Sequence, residues 1–236
     1  MKLFNLTSTP TAPATAAPLT NLVKSAAVSL TKHGIDQQRA AVYLVLDHSG
    51  SMSSYYARGD VQRLAEQALG LSANLDDDGT VPLVYFGSDA SWPQDIRIGD
   101  HHGIIDRTHR NLPWGSTNYE AAIRAVLVHY FNSDAFAANT PALVIFQTDG
   151  EPNSRANAAE ALIDAARFPV FWSFVGFGGN VSFLQQLDTL PGRVVDNASF
   201  FHADRPELVP DDVLYDAITS EFATWLTAAR AAGITR

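Results

Sequence analysis

Cysteine is absent from the 236 residues, which removes disulfides, thiolate metal sites and cysteine nucleophiles from consideration. Lysine is nearly absent too. Lys2, Lys24 and Lys32 are the whole set, so nothing after residue 32 offers an ammonium group. A phosphate-binding loop ending in Gly-Lys is therefore excluded. Positive charge is scarce overall, with 16 Lys and Arg against 25 Asp and Glu and a net charge of −9. No basic run appears, which argues against nucleic acid as a partner and against a basic helix lying on a membrane surface. Long apolar runs are lacking as well. None approaches the ~20 residues of a membrane span, and the run after Lys2 is too short for a secretory leader. The expectation is a soluble, cytoplasmic protein with no membrane insertion.

What is present is material for a core: 46% of the chain is hydrophobic and only 17% charged. A chain of this length buries about 70–75% of its unfolded surface, enough for one full α/β domain but not for two. Residues 7–18, TSTPTAPATAAP, have little to bury. With their neighbours they read as a flexible Thr/Ala/Pro-rich arm over 1–27. One domain is then expected over 28–236, including a C-terminal amphipathic helix.

Within that domain strands and helices alternate. Apolar runs at 41–46, 81–86, 142–147 and 169–175 read as strands buried on both faces, and 194–202 as a last strand. A short alternating stretch at 95–98 reads as an antiparallel edge. Helices are expected at 60–74, with Asp60 as N-cap, and at 118–131, 156–167, 180–190 and 211–232. In the last of these Leu214, Ile218, Phe222, Trp225 and Leu226 share one face. The pattern specifies a doubly wound, mostly parallel six-stranded α/β sheet of Rossmann-like type, with one antiparallel edge strand and helices on both faces. Ligands of such sheets bind beyond the carboxyl ends of the strands, near the switch in strand order.

Three groups stand at such places. Asp47-His48-Ser49-Gly50-Ser51-Met52 follows the first strand, Thr148-Asp149-Gly150 follows the strand at 142–147, and Gly115-Ser116-Thr117-Asn118 enters a helix between them. Alternate positions 47, 49 and 51 in an extended turn aim three oxygens at one point, and Thr117 and Asp149 add two more. An oxygen set of two carboxylates and three hydroxyls suits a hard divalent cation, which takes six or more oxygens and keeps some of its waters. No paired-His spacing favours zinc. Taken singly each group has a plainer reading: Ser and Asp clusters cap helices, Thr117 can cap the helix it precedes, and Asp-Gly is an ordinary turn. Their joint occurrence at strand ends and a helix entry is what points to a metal.

The segments DxSGSM at 47–52, GSTNY at 115–119 and TDGEPN at 148–153 resemble the metal-ion-dependent adhesion site of von Willebrand factor type A (vWA) domains. Further stretches are similar to the A domains of bacterial tellurium-resistance proteins of the TerF type: Tyr55 through Gly59, Asp76-Asp77-Asp78-Gly79, Phe171-Trp172, Arg193 with Val195-Asp196-Asn197-Ala198, and Tyr215 through Trp225. The likeness covers about residues 28–234. It implies a vWA fold in which Ser49 and Ser51 ligate the metal directly, Thr117 joins in the ligand-bound form, and Asp47 and Asp149 act through water. It further implies Mg²⁺, with Mn²⁺ or Ca²⁺ as alternatives, and a sixth position filled by an Asp or Glu carboxylate of a protein partner. Other tellurium-resistance-type proteins, in a stress-response complex, are the partners it points to.

The expected function is thus a non-enzymatic, metal-dependent protein-binding module with no catalytic residues. The alternative is a hydrolase or phosphatase using Asp47 as nucleophile. Against it, position 49 is Ser where such enzymes carry a second acid, no Lys follows residue 32, and no GxSxG elbow is present. A scaffold that makes no use of its metal is a third reading. Tyr55, Tyr56, Trp92 and Trp114 are candidate partner contacts. Arg58-Gly59-Asp60 reads as a helix start, Asp76-Asp77-Asp78 as a solvated turn, and His101, His102 and His109 as solvated loop histidines.

Overall fold

The computed structural model describes residues 18–76 and 78–235. Helix begins earlier than composition implied: α1 (Leu19–Lys32) includes residues 19–27, which the sequence assigned to the flexible arm. The expected boundary at 28 falls within α1, and residues 1–17 of that arm lie outside the described residues. The cause is a helical stripe, Leu22, Ala26, Ser29 and Leu30, all buried. At Gly70 the approach to α1 is closest. A Cβ there would stand 2.9 Å from Leu22 Cβ and 2.8 Å from the Tyr215 hydroxyl, so glycine is required by proximity. Ser29 Oγ donates to Asp216 Oδ1 at 2.8 Å, and Lys32 pairs with the same carboxylate. Leu22→Ala is expected to cost about 2–4 kcal/mol, measured by chemical unfolding. An unchanged midpoint would return residues 19–27 to the arm.

β1 (Ala41–Asp47) is buried at every position, and a single 3-10 turn at Gly50–Met52 leads into the short α2 (Ser53–Arg58). α3 (Asp60–Leu75) follows after Gly59, whose φ of 83° lies in the left-handed region. Asp60 does not cap this helix. Its carboxylate is held by Arg58 at 2.8 Å and its side chain is only 4% exposed, which also leaves the Arg-Gly-Asp tripeptide unable to present its acid. After α3, Asp76 and Asp78 flank position 77, which lies outside the described residues. Asp78 accepts hydrogen bonds from the Thr80 amide and hydroxyl, both at 2.7 Å.

β2 (Thr80–Phe86) and β3 (Gln94–Arg97) come next, then α4 (Ile104–His109) and α5 (Tyr119–Phe131). The chain continues through α6 (Asp134–Ala137), β4 (Ala142–Thr148), α7 (Arg155–Ala165) and β5 (Val170–Phe177). It ends with α8 (Ser182–Asp188), β6 (Ala198–Ala203) and α9 (Asp211–Ala231). The last strand starts four residues later than its apolar pattern suggested. Arg193, 4% exposed in its side chain, holds the preceding turn by donating to the carbonyls of Leu190 and Asp188, both at 2.8 Å.

The six strands form one sheet in the order β3-β2-β1-β4-β5-β6, all parallel except β3, which pairs antiparallel with β2. Along β1, Val42, Leu44 and Leu46 enter one core with α1, α3 and α9 residues, including Leu22, Leu64, Phe222 and Trp225. Ala41, Tyr43 and Val45 enter the other core, with α5, α7 and α8 residues such as Ile123, Leu162 and Leu184. Both faces are therefore covered, which is why the strands read as continuous apolar runs. Arg63 on α3 bonds Asp211 at 3.0 Å and the Val209 carbonyl at 3.0 Å, tying α3 to the first turn of α9. Among the described residues no helix is long and apolar enough to cross a membrane.

Candidate metal centre

β1 and β4 are neighbours, with Leu46 opposite Gln147, and from β1 the strand order runs outward in both directions. This is the switch point at which an open α/β sheet leaves a crevice. Asp47 ends β1 there and Thr148 ends β4 beside it. Asp47 is fully buried, and both its oxygens are committed: Oδ1 accepts from the Ser49 amide at 2.7 Å, Oδ2 from the Thr148 hydroxyl at 2.6 Å. Ser49 is extended, with φ −77° and ψ 160°. The 3-10 turn that follows brings the Ser51 hydroxyl to 3.1 Å from that of Ser49. Ser51 Oγ then donates to Asp149 Oδ1 at 2.8 Å. Asp47, Ser49, Ser51 and Asp149 are thus joined across two strand ends.

Thr117 reaches the same place through backbone contacts. Ser49 makes an isolated parallel bridge with Gly115. The Gly115 amide donates to the His48 carbonyl at 3.0 Å, and the Gly50 amide to the Gly115 carbonyl at 3.3 Å. Two residues on, the Thr117 amide donates to Asn153 Oδ1 at 3.0 Å, and the Asn153 amide to the Thr117 carbonyl at 2.8 Å. The three motifs are therefore stitched together pairwise. The helix cap is Asn118, whose side chain accepts from the Ala121 amide at 3.2 Å, so Thr117 is not the cap of α5. Among the described residues no side-chain hydrogen bond ties Thr117 to the other four.

Burial pushes the Asp47 carboxyl up to about 6, against the bonds from Thr148 and Ser49, and the Asp149 charge adds to the rise. Asp149 is raised too, chiefly by burial, with the Ser51 bond opposing. No cationic side chain figures among the groups acting on either acid. Two partly desolvated carboxylates beside hydroxyl oxygens with unused lone pairs form a donor set that fits a hard divalent cation. The nearest imidazole is engaged elsewhere. His48 stacks on Trp114 at 4.0 Å with an interplanar angle of 1°, and bonds the Pro113 carbonyl at 3.2 Å and His109 at 3.3 Å.

Several residues that shape the site were not singled out from sequence. Thr148 orients Asp47, Asn153 anchors the Thr117 loop, and Tyr119 donates to the Gly150 carbonyl at 2.5 Å. All three lie inside the quoted motifs, so the signal was there as residue type at fixed spacing. Tyr56 is buried, donating to the Asp47 carbonyl at 2.9 Å, and is no surface contact. Trp92 and Trp114 are 71% and 44% exposed, while Tyr55 is half-buried against Phe177. His109 is not solvated in the sense expected, since it packs on His48, Tyr56 and Trp114.

Residues 39–235 match the vWA-TerF-like family, described as the vWA found in the TerF C terminus. An uncharacterized protein of Bacillus subtilis strain 168, YcbR, is 35% identical over 219 residues, 90% of this chain and 88% of its own. Manganese-loaded TRAP protein of Plasmodium vivax superposes with a TM-score of 0.52 at 20% identity, over 75% of this chain and 74% of that one. The SpRpn10 VWA domain superposes with a TM-score of 0.54 at 13% identity, over 78% and 93%. These two structural likenesses concern the fold alone.

Proposed function

Because the chain belongs to the vWA-TerF-like family, whose domains often depend on a metal and mediate protein interactions, we propose that it is a metal-dependent protein-binding module. Asp47, Ser49, Ser51, Thr117 and Asp149 would hold the cation, Mg²⁺ first and Mn²⁺ second. The observation that carries this reading is the Asp47–Ser49–Ser51–Asp149 hydrogen-bonded chain at the strand-order switch. When bound, the cation supplies an electrophilic open position for a carboxylate oxygen of an Asp or Glu on a partner protein. Neutral hydroxyls near the ion favour that, since they leave its charge incompletely neutralised. Thr148 and Asn153 act as positioning residues, one on Asp47 and the other on the Thr117 loop.

Binding is favoured over catalysis by the state of Asp47. A nucleophilic carboxylate needs a free oxygen facing substrate, and both oxygens here are bonded and buried, whereas an acid that supports a cation through water and the serines it orients needs none. The half-exposed Trp114 and the exposed Trp92 supply apolar area for a partner rather than a closed pocket. The TerF-like kinship makes other tellurium-resistance-type proteins, in a stress-response complex, the partners to look for first.

The test is affinity capture from an extract of the native host, in Mg²⁺ and in EDTA, with wild-type protein and Ser49→Ala/Ser51→Ala. A partner retained only by wild type in Mg²⁺ is the expected result. Equal retention in EDTA would favour a scaffold that works without its metal. Thr148→Val, which removes the bond to Asp47 Oδ2, is expected to weaken metal affinity about tenfold or more, as read by calorimetry.

A further inference from the structure

We propose that Glu66, His101 and His102 form a second metal site, distinct from the first and selective for zinc-class cations over magnesium. These three lie on α3 and on the loop before α4, and none joins the hydrogen bonds around Asp47 and Asp149. Their ligand atoms fall within 4.8 Å of one another. Bonds of about 2.0–2.2 Å to a single zinc ion require only modest closing of that triangle.

One of the two imidazoles is anchored by the backbone. His101 Nδ1 lies 2.8 Å from the Ile98 carbonyl, and only a ring N–H can donate to a carbonyl. In the neutral ring Nε2 then carries the lone pair. Anchoring one ring nitrogen on a backbone carbonyl is how ligating histidines are usually oriented. The ring centroids of His101 and His102 are 3.9 Å apart, so the two imidazoles lie side by side.

The acid is held in place as well. Glu66 is 7% exposed, and its Oε1 accepts from Gln62 Nε2 at 2.9 Å. The same nitrogen donates to the His101 carbonyl at 2.7 Å, and Gln62 Oε1 accepts from the Ile105 amide at 3.0 Å. One glutamine thus fixes both the acid and the loop that carries the imidazoles. Among the described residues no ion pair is formed by Glu66, and a buried carboxylate gains strongly from a cation. Arg107 does not fill that role. It bonds the Asp100 carbonyl at 2.6 Å and the His102 carbonyl, which braces the loop.

Two imidazoles and one carboxylate are the ligand set of zinc sites that keep an open coordination position. Of the three, His102 also borders an open cleft of about 480 Å³ with Gly99, Asp100, Ile104 and Arg107. A bound ion would staple residues 98–103 to α3 and leave a site for water or an outside anion. Magnesium, which prefers oxygen and binds imidazole poorly, would not compete.

The experiment titrates Zn²⁺, and Co²⁺ as a spectroscopic probe, into chelator-stripped full-length protein carrying Asp149→Ala to silence the first centre. One ion per chain is expected, undisturbed by a hundredfold excess of Mg²⁺, with the ¹⁵N ring resonances of His101 and His102 shifting on binding. His101→Gln/His102→Gln should weaken zinc at least a hundredfold, and Glu66→Gln at least tenfold. Zinc affinity unchanged by the double substitution would overturn the proposal and move the ion to His48 and His109. Binding only at millimolar zinc would overturn it too. If the double variant fails to fold, the ring resonances of the Asp149→Ala protein decide: unshifted signals for His101 and His102 refute the site.

Discussion

Asp47→Asn is expected to abolish metal binding while making the metal-free protein more stable at pH 7. Asn keeps the shape of the side chain, so Oδ1 still accepts from the Ser49 amide, and its amide group can donate to the Thr148 hydroxyl. What disappears is the charge. In the folded protein the Asp47 carboxyl titrates near 6, raised from 3.8 mainly by burial, so the folded state binds a proton more tightly than the unfolded one. That contribution to stability is fully present below about pH 4 and is lost as the pH rises through about 6. At neutral pH the ionised, buried acid therefore costs about 1–3 kcal/mol, taking 1.36 kcal/mol per unit as an upper scale. Asn avoids that cost, and the thermal midpoint should rise by about 3–10 °C. The advantage should shrink on acidification and vanish near pH 4. Mg²⁺ at a thousand times its Kd should reverse the order, because it adds about 4.1 kcal/mol to wild type alone. A variant no more stable than wild type at pH 7 would mean that Asp47 is not strained by its burial.

Gly115→Ala is expected to be the most damaging small substitution near the site. A Cβ at this position would lie 2.5 Å from the Ser88 amide nitrogen and 2.9 Å from Gly87 Cα. These are backbone atoms and cannot swing aside as a side chain would. The loops 87–88 and 115–117 must separate, breaking the Ser49–Gly115 bridge that brings Thr117 to the first motif. Overpacking of this kind costs about 1–3 kcal/mol and sometimes more. Affinity for the cation should fall together with stability, because Thr117 moves with the loop. Gly50→Ala serves as the contrast: its added Cβ meets nothing within 4 Å, so both quantities should stay near wild type. Equal effects of the two substitutions would remove the steric argument.

The parts of the fold that were legible in sequence are those whose pattern is local. Strands such as 41–46 and 142–147 are apolar on both faces, and Asp95 to Ile98 alternates as an edge should, so sheet and order of elements were readable. The starts of α3 and α5 were readable to within a residue, but the caps were not, because a neighbour rather than the helix itself decides them. Asp60 is taken by Arg58, and Asn118 accepts from the Ala121 amide beside a Thr that looked equally suitable. α1 was not read as a helix at all, because its buried stripe is short and follows a Thr/Ala/Pro-rich stretch; the closeness of Gly70 and Tyr215 gives Leu22 a place to go.

The same division runs through the sites. Asp47, Ser49 and Ser51 occur at alternate positions in one turn and were visible as a motif. Thr148 and Asn153 lay in quoted segments, but their roles depend on which strand ends adjoin. Glu66 and His101 are 35 positions apart in the sequence, and nothing local predicts that a turn of α3 meets the loop before α4. That meeting required the register of the sheet and the clamp by Gln62.

The central claim is that the strand-end cluster binds a divalent cation, and calorimetric titration of Mg²⁺ and Mn²⁺ into chelator-stripped protein tests it directly, with Asp149→Ala alongside. One saturable site per chain for Mg²⁺, lost in the variant, is the predicted result. No binding of either ion to wild type, or binding unchanged by Asp149→Ala, would contradict it.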